Sequence, residues 1–145
     1  MEQYQFRLQK LLDIRIDKEE ESKRNFKEAQ SEKLKVEEKL NALKENYNKY
    51  REITGSESPV QRKIKHIYLN AVNYSISETS EELKRKEKAL EARRQELSEK
   101  QIDRKTVESL KEKQKAEFMK EQELIEQRMN DEFALYAFIR NHEEK

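Results

Sequence analysis

The sequence predicts an all-α fold, a long antiparallel two-helix coiled-coil hairpin whose second helix overhangs the first. Three observations predict it. Charged residues make up 43% of the 145-residue chain but nearly cancel, leaving a net charge of +1; disordered chains usually carry unbalanced charge, whereas long solvated helices carry both signs. The only glycine, Gly55, and the only proline, Pro59, lie in one short stretch, so the strongest helix breakers punctuate the chain once. On both sides of them apolar residues recur at alternating steps of three and four, the seam of a heptad coiled coil. With 33% hydrophobic residues and a mean hydropathy of -1.29, that seam should be narrow, with no round core. The expected layout is one domain over residues 1–145, with a first helix over about 2–53, a turn over 54–59 and a second helical arm over about 60–141.

In the first arm the period is clearest in Phe26, Ala29, Lys33, Val36, Leu40, Leu43, Tyr47 and Tyr50, a stripe broken only by Lys33. Glu and Lys fill the other faces at helical spacing, as in Glu19 with Lys23, Glu20 with Arg24 and Glu45 with Lys49. Each such pair contributes a few tenths of a kcal/mol, about enough to favour helicity and too little to choose the fold. The first turns are denser in apolar residues than one seam requires: Tyr4, Leu8, Leu11, Leu12, Ile14 and Ile16 all fall there, whereas Asp17 to Asn25 holds no large apolar residue. That excess suggests a second contact at the start of the chain, or residues at the seam's edges.

The turn is Thr54-Gly55-Ser56-Glu57-Ser58-Pro59. Gly55 can close the first helix in the left-handed conformation because it has no Cβ to clash. Ser58 is placed as the N-cap of the next helix with Pro59 at its first position, where a missing N–H costs nothing. Gln61 stands three residues beyond Ser58 and completes a capping box.

The second arm has no further glycine or proline and reads as one helix of about 80 residues, roughly 120 Å long. Val60, Ile64, Ile67, Ala71 and Tyr74 mark its expected first seam, with Tyr68 and Val72 beside it. The stretch from Asn73 to Ser80 is the weakest, since Ser, Thr and Asn offer the backbone competing hydrogen bonds; a kink or a fresh start capped by Thr79 and Glu82 is expected there. Ile76, Leu83, Leu90 and Leu97 then recur every seven residues with Thr, Lys and Arg at the partner places, a half-seam. After Val107 and Leu110 the register is expected to slip to a stripe of Phe118, Gln122, Ile125, Met129, Glu132, Tyr136 and Ile139.

Folding the arms about residue 57 sets Met1 near residue 113. The last thirty or so residues, about 45 Å of helix, then extend beyond any intramolecular partner. They include Phe118, Leu124, Ile125, Met129, Phe133, Leu135, Tyr136, Phe138 and Ile139. An apolar stripe of that size predicts a protein partner or a second copy of the chain.

Nothing in the sequence assembles a catalytic or cofactor site. His66 and His142 are the only histidines, lie far apart and complete neither H-E-x-x-H nor the Glu-x-x-His repeat of di-iron bundles. One glycine cannot make a phosphate-binding loop, and no serine has a nucleophile-elbow context. The absence of cysteine excludes disulfides, thiolate metal sites and thiol catalysis. The many carboxylates read as solvated helix faces. The near-neutral balance argues against a nucleic-acid arm or a polybasic membrane patch, and no apolar run approaches the roughly 18 residues of a membrane span. The expected protein is soluble and cytoplasmic, with no catalytic, cofactor-binding or metal residues.

The two ends add a resemblance. The opening Phe6-Arg7-Leu8-Gln9-Lys10-Leu11-Leu12-Asp13-Ile14-Arg15 and the closing Glu126-Gln127-Arg128-Met129-Asn130-Asp131-Glu132-Phe133-Ala134 resemble the FliJ family, small coiled-coil proteins of the flagellar type III export apparatus. The resemblance covers the whole length, including one turn after a first helix that ends in Tyr47 and Tyr50.

What the resemblance implies is a non-enzymatic part, similar in architecture to the central stalk of rotary ATPases. Such a part acts as an axle inside the hexameric flagellar export ATPase, promotes assembly and turnover of the ring, and binds export chaperones and the export-gate membrane protein. It would lie in the cytoplasm, peripherally associated with the inner face of the cell membrane at the flagellar base, without direct membrane insertion. By this analogy Leu8, Leu11, Leu12, Ile125, Met129, Phe133 and Tyr136 meet the ATPase, and Leu43, Tyr47, Tyr50, Tyr68, Ala71 and Val72 face the gate. Ala71 and Ser75 depart from the family pattern, which has bulkier apolar residues there. The three tyrosines have an alternative role, packing across the hairpin near the turn. Two other functions stay open: the equivalent stalk of a virulence type III secretion system, and a self-associating structural coiled coil.

Overall fold

The fold is described from a computed structural model that covers residues 2–52 and 58–143. Two helices make up nearly all of it, α1 over Gln9–Glu52 with 44 residues and α2 over Pro59–Glu143 with 85. Among the described residues there is no strand, and the two helices pack against each other as an all-α hairpin. The chain divides into two compact units: a turn unit, Lys18–Lys100, and an end unit that joins Met1–Asp17 to Gln101–Lys145.

In the turn unit the helices run antiparallel, since α1 partners rise in number as α2 partners fall. The Arg94 guanidinium lies over the Phe26 ring at 5.9 Å, Lys86 Nζ donates to Glu32 Oε2 at 3.1 Å, and the Tyr50 and Tyr68 rings meet at 4.5 Å. The seam expected on α1 is found as far as Tyr47, whereas Tyr50, expected to continue it, is exposed. Val36 and Leu40 are buried, and Phe26, Ala29, Lys33, Leu43 and Tyr47 are half-buried. Towards Lys18 the same spacing places Glu19 and Ser22 in the seam, both buried, so polar side chains occupy core places where the sequence has no large apolar residue. Lys23 Nζ sits 3.7 Å from the Glu19 carboxylate, whereas the buried Ser22 hydroxyl has no hydrogen-bond partner.

On α2 the first seam differs from the expected one. Val60, Ile64, Ile67, Ala71 and Tyr74 are exposed, and Lys65, Leu69, Val72, Ile76, Thr79, Leu83, Lys86, Leu90 and Leu97 are buried or half-buried instead. Both stripes have heptad spacing, but Lys65 and Val72 stand one residue beyond Ile64 and Ala71, about 100° further round the axis. A continuous helix turns one face to its neighbour, and the longer register through Leu83, Leu90 and Leu97 sets which face that is. The expected kink at 73–80 is absent: α2 is helical throughout that stretch. Thr79 is buried in the seam and not used as a cap, so tertiary packing holds the helix through residues that weakly disfavour it. The small residues there leave an open groove lined by Lys39, Leu43, Ser75, Thr79 and Arg85.

The start of α2 matches the sequence reading. The Ser58 N–H donates to Gln61 Oε1 at 3.0 Å, and the Gln61 N–H donates to Ser58 Oγ at 3.2 Å. The closing role expected for Gly55 lies outside the described residues.

In the end unit α1 begins at Gln9 and not near residue 2. Residues 2–6 are irregular and lead into a turn at which the Gln9 N–H donates to the Phe6 carbonyl at 3.1 Å. Leaving the helix lets Phe6 bury itself against Leu12 and Val107, with Tyr4 packed beside them. The Tyr4 ring lies 5.5 Å from that of Phe118, and its hydroxyl donates to the Lys111 carbonyl at 3.4 Å. Lys111 Nζ donates to Gln9 Oε1 at 2.7 Å, and Arg15 Nη1 to the Asp103 carbonyl at 2.7 Å.

These contacts correct two expectations. Irregular chain covers up to about 3.3 Å per residue against about 1.5 Å in a helix, so Tyr4 already reaches Phe118 and the unpartnered part of α2 starts later than residue 113. The register also does not slip after Val107 and Leu110. Arg104, Lys111 and Phe118 are half-buried at seven-residue steps, in line with Leu90 and Leu97, while Leu110 is exposed. Beyond the half-buried Gln122, every described residue from Glu123 to Glu143 is exposed.

Candidate functional site

No chemistry-bearing constellation emerges among the described residues. Among these residues no group of three or more His, Cys, Asp or Glu side chains could hold a metal ion. His66 is exposed, its Nε2 3.3 Å from Asn70 Nδ2, and the His142 ring rests 4.5 Å from that of Phe138, four residues back on the same helix. Tyr74 donates its hydroxyl to Glu78 Oε1 at 2.8 Å. That hydrogen bond, followed by the Glu78 charge, raises the Tyr74 pKa above the ordinary tyrosine value. Both groups lie on the solvated face of α2 and have no partner group for catalysis. Among the described residues no helix is long and apolar enough to cross a membrane.

What the structure offers is apolar surface, in two places. In the end unit the residues expected to meet an ATPase fall into two groups. Leu12 is 4% exposed in the small core with Phe6 and Val107, so it supports the surface from behind and does not form it. Leu8 and Leu11 remain exposed on the first turns of α1, together with Ile14 and Ile16. Along α2, Ile125, Met129, Phe133 and Tyr136 are all exposed, and Met129, Phe133 and Tyr136 line one shallow notch with Glu132. Leu124, Leu135, Phe138 and Ile139 are exposed on its other sides. Apolar residues thus cover a broad face of the helix here, wider than one coiled-coil seam, while Glu126, Asn130 and Asn141 keep the opposite face polar.

In the turn unit the residues expected to face the gate are divided more sharply. Val72 is buried against α1, and Leu43 and Tyr47 are half-buried. Tyr50 and Tyr68 stack on each other across the hairpin, each keeping an outer face in solvent. Ala71 lies outside the seam, exposed. Beside it runs the stripe of Val60, Ile64, Ile67 and Tyr74, which sequence reasoning placed inside the hairpin. The signal that could have placed it correctly was present: stepping back by sevens from Leu97, Leu90 and Leu83 leads to Ile76 and Leu69, not to Ile67 or Tyr74.

No curated protein and no solved structure matches the chain. A family model described as the flagellar FliJ protein matches residues 4–143, nearly the whole sequence. The chain therefore belongs to the flagellar FliJ family and is a component of flagellar protein export.

Proposed function

We propose that this chain is the stalk of a flagellar export ATPase, a non-enzymatic coiled coil that inserts in the hexameric ring, promotes its assembly and activity, and links it to export chaperones and the export gate. The observation that carries this reading is the segment from Glu123 to Glu143, a helix with no intrachain partner and with Ile125, Met129, Phe133 and Tyr136 exposed. Apolar surface of that extent is stable in water only when something covers it. A ring that closes round a single helix would cover an apolar face this broad. Leu8 and Leu11, in the same unit, would widen the contact. The turn unit would present Tyr47, Tyr50, Tyr68 and Ala71 to the gate, with Leu43 and Val72 fixing the backbone beneath them. The working place of such a stalk is the cytoplasmic face of the membrane at the flagellar base.

The test is the hydrolysis rate of the cognate export ATPase, titrated with the full chain. Activation should saturate well below one copy per ATPase subunit, as expected for one stalk in each ring. The double substitution Met129→Asp, Phe133→Asp should weaken the apparent affinity by about 30-fold or more, the effect of removing a central apolar anchor. An unchanged rate at every ratio, together with light scattering that shows stable self-association lost in the same double variant, would replace the stalk reading by that of a self-associating coiled coil.

A further inference from the structure

We infer that the outward face of α2 between Val60 and Tyr74 is a docking surface for an acidic amphipathic helix of a partner protein. Val60, Ile64, Ile67, Ala71 and Tyr74 step along it at intervals of four and three, and the four larger ones are exposed to 68%, 62%, 59% and 66% respectively. They lie away from Lys65, Leu69 and Val72, the residues that α2 turns towards α1. The spacing is that of a coiled-coil seam, so the complementary surface is another helix. A stripe confined to seam positions is also narrower than the apolar face with which a helix beds into lipid.

Charge selects the kind of helix. From Ser58 to Ser77 there is no aspartate or glutamate, while Arg62 and Lys63 lie there exposed to solvent. Over the wider stretch from Leu43 to Ser77 the sequence holds six Lys and Arg against three Glu, in a chain whose net charge is +1. Lys63 and Asn70 border one edge of the stripe and Gln61 and Tyr68 the other, the positions whose charges choose the partner of a coiled coil. A second copy set on this face would bring like charges together, whereas Glu or Asp beside a partner's apolar seam would meet Lys63. The surface shares only Tyr68 and Ala71 with the residues assigned above to the export gate, and its assignment does not depend on the stalk reading.

The probe is a labelled synthetic peptide of three heptads, Leu at the seam positions and Glu at the flanking ones, titrated with the full chain by fluorescence anisotropy. A peptide with Lys in place of Glu is the comparison. The acidic peptide should bind saturably and at least about tenfold tighter than the basic one. Ile64→Asp with Ile67→Asp should weaken it at least about tenfold, Lys63→Glu should erase the preference for acid, and Met129→Asp with Phe133→Asp should change nothing. Far-UV circular dichroism checks the fold; if the isoleucine variant unfolds, Lys63→Glu alone decides. Equal binding of the two peptides, or acidic binding indifferent to Ile64 and Ile67, overturns the inference. Sedimentation with phosphatidylglycerol but not phosphatidylcholine vesicles, lost in the isoleucine variant and unaccompanied by peptide binding, overturns it in favour of a lipid surface.

Discussion

Ser22 occupies a core position without the means to use it. Its hydroxyl is buried and has no partner, and a buried unbonded hydroxyl costs about 1–3 kcal/mol of desolvation. Alanine removes that cost and is the better helix former. Ser22→Ala should therefore stabilise the chain by about 1 kcal/mol, seen as a higher urea midpoint at unchanged slope; a lower midpoint would show that the hydroxyl is bonded in solution. The position could be numbered from the sequence, because it follows from stepping back along the α1 seam from Phe26. That its hydroxyl lacks a partner could not, since this depends on which α2 side chains stand opposite. Val72 and Ala71 show the same limit: adjacent in sequence and both apolar, one is buried and the other exposed.

At the scale of the element, local signals were read correctly where local physics decides. The capping box of Ser58 and Gln61 needs only residues three apart, and both its hydrogen bonds form. Ser58→Ala should cost about 1 kcal/mol. Gln61→Ala in the same background should then cost about 0.5 kcal/mol more, because the backbone N–H of residue 58 that donates to Gln61 Oε1 survives the first substitution; no further loss in denaturant melts would show that this bond forms only with the serine hydroxyl in place. The beginning of α1 and the middle of α2 were not legible in this way. Residues 2–6 leave the helix because Phe6 gains a core made with Leu12 and Val107, a contact about a hundred positions away along the chain. The Asn73–Ser80 stretch stays helical because Thr79 is buried against α1, a gain that no local propensity contains.

At the scale of the whole molecule, the last part of α2 adds apolar surface and no buried contact. No described residue from Glu123 to Glu143 is buried or half-buried. A chain ending at Gln122 should therefore keep its unfolding free energy to within about 0.5 kcal/mol, the range of changes at exposed sites. Its circular dichroism should lose only the removed helix, whereas a large fall in midpoint would mean that this segment packs back on the chain in solution.

The sequence by itself determined the fold class, the break between the two described helices, most of the α1 seam and the family, because charge balance, two helix breakers, heptad spacing and terminal motifs are properties of neighbouring residues. Which face of α2 turns inward, where α1 begins and how much of α2 stays without a partner were decided only by the tertiary structure. Two apolar stripes of equal spacing on one helix are indistinguishable until a neighbour covers one of them. The covering helix is chosen by the register of the whole hairpin, not by the stripe itself.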